Sequence, residues 1–139
     1  MLTFAIGPVH RDEEGEELRE RAGQKLGEVL GRKLRVVAYE SYPALEAAVR
    51  DSRADLAWVS PAVYARLALA GRAELVASVA RGEGHSYRGV LFVKREAKAS
   101  SASDLAGLRI GWVDRDSCAG HLYPRLALSQ RGLSADTLF

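Results

Sequence analysis

The sequence predicts an α/β fold on a mainly parallel sheet, one three-layer lobe followed by an incomplete second lobe. Three observations carry this. Short apolar runs at Leu2–Ile6, Leu34–Ala38 and Asp55–Val59 alternate with stretches of helical spacing, the pattern of β-α-β units with right-handed crossovers. Ser60-Pro61 is a strong helix start, a capping hydroxyl followed by a proline already fixed at helical φ. At the far end, Ser134–Phe139 follows, beyond a crossover strand at Tyr87–Lys94, only one strand and one helix of the second unit, too little to close a layered core.

The elements follow in order. Leu2–Ile6 reads as a buried strand ended by Gly7-Pro8, since both residues punctuate regular structure. A helix over about Glu13–Leu30 is expected from Leu18, Ala22, Leu26, Val29 and Leu30 as its inner stripe. Asp12–Glu14 stand at its dipole-favoured start, and Gly31 stops it. Leu34–Ala38 is the second strand; a second helix begins near Ser41, with Leu45, Ala48 and Val49 inward. Asp55–Val59 is the third strand, and the helix after Ser60 runs to Ala70 with Gly71 as its stop.

Further strands are expected at Leu75–Ala80, Tyr87–Lys94 and Leu108–Val113. The polar run Arg81–Ser86 reads as a loop and marks a boundary, giving a first lobe over 1–86 and a second unit over 87–139. Lys98–Ser103 is a polar linker, Asp104–Gly107 a short turn, and the last helix spans about Ala119–Gln130 with Gly132 after it. Ligands of such sheets gather at the carboxyl ends of the strands, where Tyr42, Ser60 and the loop at Ser117 are expected to lie.

Composition excludes several classes of function. The 139 residues are 47% hydrophobic, enough for a core, and 20 basic against 18 acidic residues give a formal charge of only +2. With the charges interspersed, nothing argues for nucleic acid or an acidic membrane surface. The single cysteine leaves no internal disulfide, and His10, His85 and His121 lack zinc-ligand spacing, so no metal or other cofactor is expected. No run of about 18 apolar residues occurs, and no targeting segment is read. Without a signal peptide in the chain, a cytoplasmic location stays open beside an exported one.

The richest motif is Asp114-Arg115-Asp116-Ser117-Cys118-Ala119-Gly120, between an expected strand and an expected helix. Free N–H groups and the positive dipole end at a helix start favour oxyanions; Ser117 adds a hydroxyl and Gly120 allows close approach. The same residues also make an ordinary helix cap.

Taken in order, these segments resemble the phosphate/phosphite/phosphonate substrate-binding proteins of ABC transporters, with the type 2 periplasmic-binding-protein fold. The resemblance runs through Glu40-Ser41-Tyr42-Pro43, Ala54–Pro61, Ser86–Val93, Ser103–Gly107, and Asp114–Gly120 with Pro124. It implies an oxyanion clamped between two lobes in the periplasm or another extracytoplasmic space, and handed to a membrane permease without chemistry. By position, Tyr42 and Tyr87 correspond to the family's two ligand-contacting tyrosines. Ser117, Cys118 and Ala119 occupy its hydroxyl-rich turn, and Ser60 joins them at a strand end. Family members carry hydroxyls at all three turn positions, whereas this chain has one, then a thiol and a methyl. Two missing donors, at about 1.5–3 kcal/mol each toward a charged ligand, cost several orders of magnitude in affinity where backbone N–H groups do not compensate. The chain also spans roughly half the length usual in the family, so pairing of two copies through the incomplete lobe is expected. A ligand-sensing regulatory module on the same fold is the alternative function.

Bland readings stand beside these. Both tyrosines suit amphipathic packing at element ends. Trp58 reads as a core residue, and His85 as a solvated loop residue. Cys118 and His121 share a helix face by spacing alone and no third orienting group is identifiable, so an enzyme is not expected.

Overall fold

The structure, a computed structural model, describes residues 1–8, 13–79 and 86–139. The expectations placed on His10, Asp12, Ala80 and Arg81–His85 lie outside the described residues. The chain divides into two compact units, Met1–Val76 and Ala77–Phe139.

In the first unit, β1 (Leu2–Ile6), α1 (Glu13–Leu30), β2 (Leu34–Ala38), α2 (Tyr42–Arg50), β3 (Leu56–Trp58) and α3 (Pro61–Leu69) follow one another as expected. The strands form a parallel sheet in the order β2-β1-β3, with Phe4 opposite both Val36 and Leu56. The chain leaves β1 toward β2, then returns across β1 to β3. Right-handed crossovers therefore set α1 and α2 on opposite faces. Side chains make up for the short ladders at their ends. The Thr3 N–H donates to the Asp55 carboxylate at 2.7 Å, and Arg35 Nε donates to the Thr3 hydroxyl at 3.3 Å.

The core lies under α2 and α3, where Ala5, Leu45, Ala48, Val63 and Leu67 are buried. Both helices start as their sequences dictate. The Ser41 and Ser60 hydroxyls accept the N–H groups of Ala44 and Val63 at 3.2 and 3.3 Å, and proline occupies the first turn of each helix. Arg66 on α3 donates to Glu46 on α2 at 2.6 and 2.9 Å, tying the pair at its outer edge.

The inner stripe expected for α1 is not its packing face. Leu18 and Val29 are 64% and 83% exposed, and the buried residue of the helix is Gly23. A side chain at Gly23 would stand 3.2 Å from the Leu34 carbonyl, and one at Gly27 2.8 Å from that of Arg32. The helix thus lies against the β2 backbone through glycines. Periodicity weighs side-chain size and is blind to such a contact.

The second unit has no ladder among its described residues. Tyr87–Lys94 and Leu108–Val113 were each expected as strands and neither pairs as one; nor does the described part, 75–79, of the strand expected at Leu75–Ala80. Apolar, β-branched composition supplies propensity, but a strand also needs a neighbour for its N–H and C=O groups. Packing instead comes from a 3-10 turn at Ala102–Leu105, α4 (Tyr123–Ser129) and the four-residue α5 (Ala135–Leu138). Leu128, Ala135 and Leu138 are buried against Leu105, Trp112 and Phe139. The short α5 was not foreseen. Gly107, its φ at +75°, donates its N–H to the Leu138 carbonyl at 2.8 Å and so fastens α5 to the turn.

Candidate functional site

Tyr42 and Ser60 meet the expectation for the carboxyl edge of the sheet. Tyr42 is the first residue of α2 and half-buried, its ring so close to the end of β1 that a side chain on Gly7 would come within 3.3 Å of its Cε1. Ser60 caps α3 two residues beyond β3. Trp58 corrects the sequence reading. It is 56% exposed at the end of an outer strand, not a core residue, because β3 stops there. A large aromatic side chain therefore stands at the same sheet edge as Tyr42 and Ser60. The available signal was its position as the last residue of the strand.

In the second unit the turn at Ser117 forms a tight structure of its own. Asp116 donates its N–H to the Asp114 carboxylate at 2.8 Å, and Ser117 donates to the Asp114 carbonyl at 3.1 Å. The Ser117 hydroxyl accepts the Gly120 N–H at 3.1 Å and so caps the helical segment. The last helix starts one residue earlier than expected and as a π-turn, Cys118–Leu122, with Leu122 donating to the Ser117 carbonyl at 3.0 Å. Pro124 explains the wide turn. Lacking an N–H, it cannot bond Gly120, whose carbonyl instead accepts from Val113 at 3.4 Å. Gly120 is required where it stands, since a Cβ there would overlap the Val113 side chain.

Cys118 is buried, whereas Ser117 and Ala119 are partly exposed. His121 turns its Nδ1 to the Arg115 carbonyl at 3.0 Å and sets its ring edge-on to Trp112 at 5.1 Å. Tyr87 reaches the neighbourhood of the turn from its own segment. Its ring lies 6.2 Å from that of Tyr123, and two residues on Gly89 runs directly over Ala119. In the second unit Gly89, two residues after Tyr87, thus lies against Ala119, and in the first Tyr42 and Ser60 both lie at the carboxyl edge of the sheet. An open recess of about 400 Å³ in the second unit is walled by Tyr87, Gly89, Leu91, Tyr123 and Pro124.

Residues 4–139 match the family of periplasmic substrate-binding proteins of phosphonate ABC transporters. The chain belongs to this family. It is a substrate-binding component, of a kind that is generally non-enzymatic, and its three-stranded parallel sheet with helices suits one lobe of the periplasmic-binding-protein fold. Among the described residues no helix is long and apolar enough to cross a membrane, and no cluster of three or more His, Cys, Asp or Glu side chains is placed to hold a metal ion.

Proposed function

We propose that the protein binds a small phosphonate-, phosphate- or phosphite-like oxyanion for delivery to an ABC permease. Tyr42 and Ser60 from a first lobe, and Tyr87 and the Ser117–Ala119 turn from the second, form its site. Family membership over residues 4–139 carries this reading. The geometry supports it through the turn, where Ser117 caps the helical segment and the first N–H groups of that segment have no intrahelical partner.

Each residue has a distinct part. Ser117 donates its hydroxyl, Tyr42 and Tyr87 supply phenolic donors, and Cys118, whose side chain is buried, contributes its main-chain N–H. Ala119 adds a main-chain N–H and a methyl group in place of a hydroxyl. Ser60 caps α3 through its hydroxyl oxygen and stands at the same sheet edge as Tyr42. The two lobes divide near residues 86 and 87, the ligand is released unchanged, and the working compartment is periplasmic. Sensing is the second use of the same binding chemistry.

Calorimetric titration with methylphosphonate, phosphite, phosphate and sulfate in turn tests the reading. The Ala119→Ser variant restores one hydroxyl toward a charged ligand and is expected to bind about tenfold tighter or better. Equal affinity in variant and parent contradicts the use of the turn as an anion site.

A further inference from the structure

We propose that Gly89 is a positioning residue for this site. Its missing side chain lets the segment from Tyr87 to Leu91 rest on the Ala119 carbonyl, and that contact sets how near Tyr87 comes to the Ser117–Ala119 turn. The inference rests on the oxyanion reading above and adds to it a residue that touches no ligand.

A Cβ at Gly89 would stand 2.8 Å from the Ala119 carbonyl oxygen, and 3.5 Å from both Ala119 Cα and Pro124 Cδ. The nearest obstacle is backbone, which cannot rotate away as a side chain would. Nor can the turn retreat. It is held by the Ser117–Gly120 and Ser117–Leu122 bonds and by the bond from Tyr123 to the Cys118 carbonyl. Behind it, the Val113 side chain occupies the place where a Cβ on Gly120 would stand. Pro124, buried, walls the segment on the helix side. A methyl group at position 89 therefore displaces the segment that carries Tyr87, not the turn. Gly107, Gly111 and Gly132 in the same unit meet nothing within 4 Å, whereas Gly89 meets backbone and Gly120 a side chain.

The test compares Gly89→Ala with Gly111→Ala in the full chain, by amide-resolved NMR and by titration with methylphosphonate. Gly89→Ala is expected to shift the amides of Ala119–Leu122 and to weaken binding at least tenfold, the loss of one good hydrogen bond to a charged ligand. Gly111→Ala is expected to do neither. Parent-like affinity in Gly89→Ala overturns the proposal while leaving the oxyanion reading intact. If the parent binds no oxyanion, that reading fails, and the amides alone decide: unchanged Ala119–Leu122 resonances overturn the contact, and shifts there together with shifts over Tyr87–Leu91 uphold it. If Gly89→Ala does not fold, a nuclear Overhauser contact between Gly89 Hα and Pro124 Hδ in the parent upholds the placement, and its absence overturns it.

Discussion

Single side chains show most clearly how local chemistry sets this structure. Asp104 receives the N–H groups of Ser100 and Ser101 at 2.9 and 2.8 Å and the Ser100 hydroxyl at 3.1 Å. The Ser100 backbone bond, then that of Ser101, holds its carboxyl below the ordinary carboxylate value. Asp136 is lowered in the same way by the Arg125 guanidinium, 2.7 Å away. A folded-state pKa below the unfolded one contributes stability above the unfolded value of about 3.9, lost as pH falls through the folded value. Asp104 is accordingly expected to titrate below 3.9 by carboxyl-detected NMR, whereas a midpoint at or above that value would contradict the three-donor geometry. The Ser41, Ser60 and Ser117 caps were legible in the sequence because each needs only its own next three residues. Trp58 was not, because its burial depends on what stands beyond β3.

Among the elements, β1 to α3 could be read directly, since each of those runs finds its partner within the first unit. The runs at Tyr87–Lys94 and Leu108–Val113 carry the same composition and form no ladder, so the pattern revealed propensity without pairing. The last helix was legible in extent but not in form. Its π-turn follows from Pro124 meeting a carbonyl that Val113 already uses. For α1 the sequence points to the wrong face, and this has a measurable consequence. Alanine is the better helix former by about 1 kcal/mol, yet a Cβ at Gly27 would lie 2.8 Å from the Arg32 carbonyl. Gly27→Ala is therefore expected to lower stability in urea unfolding despite its propensity gain. A variant more stable than the parent would mean that Gly27 does not lie against the Arg32 carbonyl.

For the whole molecule, surface chemistry leads to an expectation about association. Val90 and Phe92 are 70% and 91% exposed in a segment without a ladder, and β2 and β3 are the outer strands of the three-stranded sheet. Apolar runs and open edges of this kind promote pairing between chains. Light scattering over a concentration series is expected to show mass rising toward a dimer, and a constant monomer mass at high concentration would contradict it.

Tyr42, Ser60 and Ser117 stand at helix starts that the sequence marks, whereas Tyr87 lies in a run that forms no ladder; the proposed site draws on two sets, Tyr42 with Ser60 and Tyr87 with Ser117–Ala119. Whether the two sets serve one ligand is the central claim. The direct measurement is an NMR titration of the full chain with methylphosphonate, following Tyr42 and Ser60 in one unit and Ser117 and Ala119 in the other. The account predicts saturable shifts in both units with one shared dissociation constant. Saturation in one unit alone, or no saturable shift with any of the oxyanions at millimolar concentration, would contradict it.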